Sequence, residues 1–155
     1  MRKRFFFIIR SCDVLKSILD VGSASGGMYK IITDLFGNIT YEGVDISSEL
    51  IAEAKKRYPE GTFSLIDGKK LPYDNNKFDS VISFGTTVHE ISWKRLITEC
   101  FRVANNKLLI DIRLSNYPTI SSLNVGYVQD GSNIKYPYVV INFKDFLGFL
   151  KSLNN

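Results

Sequence analysis

Three carboxylates, one run of small residues and the single histidine carry the chemistry available to this 155-residue sequence. The run is Asp20-Val21-Gly22-Ser23-Ala24-Ser25-Gly26-Gly27. Its glycines accept positive φ and let the backbone close on a ligand, and the N–H groups that open a following helix favour a negative charge. That combination suits a nucleotide-type cofactor. An ordinary Gly-rich strand-to-helix turn is the alternative that this stretch alone leaves open. Asp45 and Asp67 also end apolar runs, so each places an acid just beyond a strand. His89, in Gly85-Thr86-Thr87-Val88-His89-Glu90, is the residue type best suited to take a proton near neutral pH. A histidine capping the next helix or packing beside Trp93 reads equally well, and Glu90 either orients it or is solvated.

These residues need rigid elements behind them. Ile18-Leu19 with Val21 reads as a strand, and Met28, Tyr29, Ile31, Ile32, Leu35 and Phe36 then adopt helical spacing up to Gly37. Ile39–Asp45 reads as a second strand. Ser47 or Ser48 caps a second helix that carries Leu50, Ile51, Ala54 and Tyr58 and stops at Pro59. Thr62–Ile66 and Phe78–Phe84 follow as strands, Trp93–Phe101 as a helix after Ser92, and Lys107–Ile112 as a fifth strand. The alternation implies an α/β fold with a mostly parallel sheet, helices on both faces and right-handed crossovers. In such sheets ligands bind beyond the carboxyl ends of the strands, where strand order reverses, so the three acids, the Gly loop and Ser83–Gly85 converge on one rim.

Composition narrows the function classes. With 45% hydrophobic residues the chain can bury a core as one domain. The formal charge of +4 is mild, and Arg2-Lys3-Arg4, Lys55-Lys56-Arg57 and Lys69-Lys70 form no stripe of the kind nucleic acids require. Cys12 and Cys100 show neither metal spacing nor a secreted framework, which fits a cytoplasmic setting. Phe5–Ile9 is five apolar residues, short of the roughly 7–15 of a signal peptide, and is expected to pack on the domain as a short strand or helix. No segment reaches transmembrane length.

The ordered set of stretches resembles the class I S-adenosylmethionine-dependent methyltransferases of the small-molecule branch, from Ile18 to Ile112. Ile18–Gly26 is similar to the family's acid-x-Gly-x-Gly-x-Gly motif, with Ala24 in place of the middle glycine; Val44-Asp45-Ile46-Ser47 is similar to its second-strand acid. Ile66-Asp67-Gly68 with Leu71-Pro72-Tyr73, and Phe78-Asp79-Ser80-Val81-Ile82, resemble its third and fourth strands. The resemblance implies a Rossmann-like sheet of order 3-2-1-4-5, S-adenosylmethionine as cofactor and a small-molecule or sugar-type acceptor. Gly22, Ser23, Ala24 and Gly26 would lie under the methionine part, with loop N–H groups facing its carboxylate and Asp20 reaching its amino group. Asp45 would accept the ribose hydroxyls, Ile46 would lie on the adenine, and Asp67 and Gly68 would bond its edge. Phe84 and Gly85 would border the sulfonium, and His89 would be the catalytic base.

A nicotinamide-dependent oxidoreductase also fits Gly22-x-Ala24-x-x-Gly27 with Asp45, but a carboxylate at Asp20 sits badly beside a pyrophosphate. A catalytically silent scaffold or binding partner of the same fold, or a truncated fragment, is the alternative of a different class. The expected division is a lead-in over 1–16, a cofactor-binding core over 17–112, and a substrate-covering segment with a C-terminal helix over 113–155. Within the last part, Tyr138–Phe143 reads as extended and Phe146–Leu153 as helical. No sequence is left for the family's final hairpin, so the fifth-strand edge is expected to lie open, covered by a homodimer partner or by Ser115–Asn142.

Overall fold

The computed structural model describes residues 15–127 and 133–153. The expected packing of Phe5–Ile9 and the position of Cys12 lie outside them. Among the described residues eight strands and four helices run in the order β1 (Ser17–Val21), α1 (Gly27–Phe36), β2 (Thr40–Asp45), α2 (Ser48–Arg57), β3 (Thr62–Leu65), β4 (Phe78–Ser83), α3 (Trp93–Val103), β5 (Ala104–Ile110), β6 (Leu114–Ser115), β7 (Ile120–Tyr127), β8 (Asn133–Asn142) and α4 (Phe143–Leu153). A single 3-10 turn, Thr87–His89, lies between β4 and α3. The first five strands are parallel, in the order β3-β2-β1-β4-β5, as the sequence implied.

Alternation along the strands divides the core in two. Ile18, Tyr41, Phe63 and Ile82 face α1 and α2, where Ile32, Ile51 and Ala54 meet them. Leu19, Val21, Val44 and Val81 face the other way, onto Cys100 and Val103 of α3. Such burial contributes on the order of 25 cal/mol per Å² of apolar surface removed from water. Ser47 caps α2 by accepting the N–H of Leu50, whereas α1 begins at Gly26 with no side-chain cap. The Asp79 carboxylate accepts the N–H groups of Lys16 and Ser17, pinning the start of β1 to β4. Ile31 and Leu35, part of the apolar helical spacing read in the sequence, are exposed, because the helix meets the sheet through Met28, Tyr29 and Ile32.

The five-stranded sheet stops at β5, without the family's final hairpin, as expected; the region beyond it, read in the sequence as irregular up to Tyr138, instead pairs as strands of its own. β7 and β8 pair antiparallel from Ile120–Val140 to Tyr127–Asn133, and β8 also pairs with the two-residue β6. The hairpin therefore continues a small separate sheet and does not extend the main one. Ser121, Ser122, Asn124 and Gly126 give β7 little strand propensity of its own; its conformation comes from pairing with β8. β8 buries Val139 and Ile141 in a cluster with Trp93 and Ile97, and Leu108, Ile110 and Ile112 pack against this cluster together with Phe146, Phe149 and Leu153 of α4. The β5 side is thus covered in part from within the chain. No helix among the described residues is long and apolar enough to cross a membrane.

Candidate functional site

The loop after β1 is built by hydrogen bonds to β2. Gly22 and Ser23 both donate to the carbonyl of Val44, at 2.8 and 3.0 Å, and Gly26 donates to that of Ser23. The expectation that these N–H groups face a ligand is therefore corrected. The donors left for an anion are the N–H groups of Ser25, Gly27 and Met28 at the start of α1, ahead of Tyr29, which donates to Gly26 O; no side chain caps this end. Gly22 (φ +81°) and Gly26 (φ +80°) occupy the left-handed region, and Ala24 also adopts positive φ at +47°. A Cβ on Gly22 would strike the Thr86 side chain, so glycine is required there. Thr86 donates its hydroxyl to Val21 O at 3.1 Å, as does Ser83 at 2.9 Å, which joins the rim after β4 to the rim after β1.

Two of the three acids are buried in this rim. Asp45 accepts the N–H of Ala24 through Oδ2 and that of Ser47 through Oδ1, both at 2.9 Å. One carboxylate thus ties the Gly loop to the start of α2, and each oxygen retains a further lone pair. Asp20 is 2% exposed and accepts a 2.6 Å hydrogen bond from the Tyr41 hydroxyl. Burial pushes its pKa up to about 6, the Tyr41 bond pulls it down, and the nearby Asp45 charge raises it. Tyr41 in turn is held above its ordinary value by burial and by Asp20, so it stays a donor. Asp67 differs: it is exposed and accepts the Lys69 N–H at 2.8 Å, which holds it below the usual carboxylate range.

The remaining residues complete the rim. Ile46 is 69% exposed, and a Cβ on Gly68 would come within 3.0 Å of its Cγ2, so the ends of β2 and β3 meet there. Phe84 is 41% exposed, and Gly85 after it donates to Asp111 Oδ1 at 2.6 Å. His89 ends the 3-10 turn, with Nδ1 2.9 Å from the carbonyl oxygen of Pro137 and its ring edge-to-face with Tyr136 at 5.3 Å. A carbonyl only accepts, so Nδ1 carries the proton and Nε2 of the neutral ring keeps its lone pair. Glu90 does not orient this ring; it accepts the Ser92 N–H at the start of α3.

Sequence reasoning missed Tyr41, Thr86, Asp111 and Pro137. Asp111 carried a signal, since like Asp20, Asp45 and Asp67 it is an acid at the end of a strand run. Pro137 is explained by its register. In an antiparallel pair a residue's N–H and C=O point to the same side, and the Pro137 carbonyl points to His89, away from β7, so the missing N–H breaks no bond of the ladder. A concavity of about 730 Å³ lies away from this rim, between Trp93 and Lys94 of α3 and Lys144, Gly148 and Phe149 of α4.

Residues 18–107 match the model of a methyltransferase domain. The chain is 28% identical over 107 residues to a demethylmenaquinone methyltransferase of Thermotoga maritima, covering 68% of this chain and 46% of that protein. It is 30% identical over 106 residues to a phthiotriol/phenolphthiotriol dimycocerosates methyltransferase of Mycobacterium leprae, covering 65% and 39%. The chain thus spans less than half the length of these curated relatives. Among solved structures, a SAM-dependent methyltransferase of Methanosarcina mazei superposes with a TM-score of 0.72 at 15% identity, covering 92% of this chain and 80% of that one. Phosphoethanolamine N-methyltransferase 2 of Haemonchus contortus, solved with phosphomonomethylethanolamine and S-adenosylhomocysteine, gives 0.68 at 19% identity, covering 93% and 34%.

Proposed function

The chain belongs to the methyltransferase-domain family, and from that premise we propose that it transfers the methyl group of S-adenosylmethionine to a small-molecule acceptor. The observation that carries the reading is the Asp45 carboxylate, which joins the Gly loop to α2 and still offers two neighbouring acceptor oxygens, the geometry that a pair of ribose hydroxyls needs.

The residues present fit this cofactor. The buried Asp20 suits an ammonium group, Asp45 keeps a lone pair on each carboxylate oxygen for hydroxyl donors, and the start of α1 carries no side-chain cap against a carboxylate. In this reading Asp45 holds the ribose, Ile46 and Gly68 form the adenine wall, and Asp67 accepts from the adenine edge. Gly22, Ser23, Ala24 and Gly26 shape the floor, the start of α1 faces the carboxylate, and Phe84 borders the reacting end. When bound, the cofactor supplies a methyl group on a sulfonium, an electrophile that needs alignment more than acid catalysis.

The chain's own part in the reaction falls to His89. Pro137 O fixes its Nδ1 proton, and Nε2 takes the proton of an acceptor hydroxyl or amine as that atom gains its methyl group. β8, within the segment expected to cover the substrate, holds this ring through Pro137 and Tyr136, which supports a role for it beside the acceptor.

Calorimetric titration of the full chain tests the assignment. S-adenosylhomocysteine should bind with one-to-one stoichiometry, and Asp45→Ala should weaken binding about tenfold or more, the loss expected for charge-assisted hydrogen bonds. Unchanged affinity in the variant, or preferential binding of a nicotinamide dinucleotide, would overturn it.

A further inference from the structure

β8 turns two tyrosines toward the rim. Residues two apart in a strand share a face, so Tyr136 and Tyr138 lie together, while Val139 and Ile141 on the other face are buried against Trp93 and Ile97. Tyr136 meets the His89 ring. Tyr138 meets Arg113, whose guanidinium lies 5.0 Å from the ring centroid and whose Nη1 donates to the phenol oxygen. Arg113 follows β5 by three residues, and Asp111 in the same stretch holds the Gly85 N–H. The arginine and the histidine are therefore neighbours across one tyrosine face, at the end of the sheet where Phe84 and Gly85 lie.

Charge makes this pairing informative. Among the described residues Arg113 forms no ion pair, whereas Arg57 and Arg102 are each matched with a glutamate. A guanidinium has five N–H donors in a planar fork, and here the Tyr138 hydroxyl takes one bond from Nη1 while its ring lies beside the group. The rest of the fork is the shape that a carboxylate fills with two parallel hydrogen bonds.

Resting on the methyltransferase reading above, we propose that Arg113 determines acceptor specificity and selects acceptors that carry a carboxylate or an equally placed oxyanion, set beside the atom whose proton His89 removes. Tyr138 positions the guanidinium, and Tyr136 flanks the His89 ring.

The test is an NMR titration of the full chain with 4-hydroxybenzoate and with its uncharged methyl ester, followed at the Arg113 Nε–H and the Tyr138 ring. The acid should produce saturable shifts at both, with at least tenfold tighter binding than the ester. Arg113→Met should reduce that preference to within twofold, and Arg113→Lys should keep part of it; backbone spectra of both variants report whether the hairpin stays folded. Equal binding of acid and ester, absence of saturable shifts with the acid, or a preference that survives in a folded Arg113→Met protein would overturn the proposal. Calorimetry with S-adenosylhomocysteine on the same samples reads the cofactor site separately. Cofactor binding without acid preference removes this proposal alone, whereas absence of cofactor binding removes the methyltransferase reading.

Discussion

Gly22 and Thr86 approach so closely that a Cβ on the glycine would lie 2.0 Å from the Thr86 hydroxyl oxygen. The contact joins the loop after β1 to the loop after β4, the two segments assigned to the cofactor floor and to the reacting end. Gly22→Ala meets both that collision and a φ of +81°, a strain of about 1–3 kcal/mol for the backbone alone. The variant should lose stability by at least that amount in denaturant unfolding and should no longer bind S-adenosylhomocysteine. Wild-type stability with intact binding would show that the two loops move apart freely.

Asp20 makes binding depend on pH. Its carboxyl in the free protein has a pKa near 6, and a bound ammonium group favours the ionised form and lowers it. Binding below about pH 6 then releases a proton, so affinity for S-adenosylhomocysteine should rise with pH up to that value and level off above it. Tyr41→Phe removes the bond that lowers this pKa and should move the inflection to higher pH.

The same group sets a stability trend in the unliganded protein. Between the ordinary 3.8 and about 6 the folded state holds more protons than the unfolded one, so Asp20 makes unfolding easier as pH rises through that window. Asp20→Asn should flatten this part of the stability profile in urea titrations. An unchanged slope would show that Asp20 does not titrate there.

His89→Ala should leave cofactor affinity within about twofold and lower turnover of an identified acceptor by about 10²–10⁴-fold, the range for removing a general base. Full turnover would make the ring a structural contact of the hairpin through Pro137 and Tyr136 and nothing more.

Arg102 fastens the loop that leads from β3 to β4. Its guanidinium donates to the carbonyls of Leu71 and Tyr73 and to Asn75, and Glu99, its ion-pair partner, accepts the Leu71 N–H. Arg102→Met should cost about 2 kcal/mol or more of stability, because it strands Glu99 as well as two carbonyls. Retained stability would show that Leu71 burial and the Glu99 bond to its N–H hold the loop without Arg102.

Legibility in the sequence followed the range of the forces involved. Strands β1 to β5 and helices α1 to α3 announce themselves through local periodicity and caps such as Ser47 and Gly37, and the strand-end acids mark the rim before any coordinates are known. The β7–β8 hairpin was half hidden, since only Tyr138–Phe143 carries a strand signal and the polar run of β7 is ordered by its partner. Long-range hydrogen bonds left no local trace: nothing in the sequence shows that Tyr41 reaches Asp20, that Val44 absorbs the N–H groups of Gly22 and Ser23, or that Pro137 selects the tautomer of His89.

A crystal structure of the chain with S-adenosylhomocysteine would show whether the rim formed by Asp20, Gly22 and Asp45 holds S-adenosylmethionine. The account predicts both ribose hydroxyls within about 3.2 Å of the Asp45 carboxylate, the adenine on Ile46, and the sulfur facing Phe84 and His89. A ligand seated instead in the groove between Trp93 and Phe149, or a ribose turned away from Asp45, would contradict it.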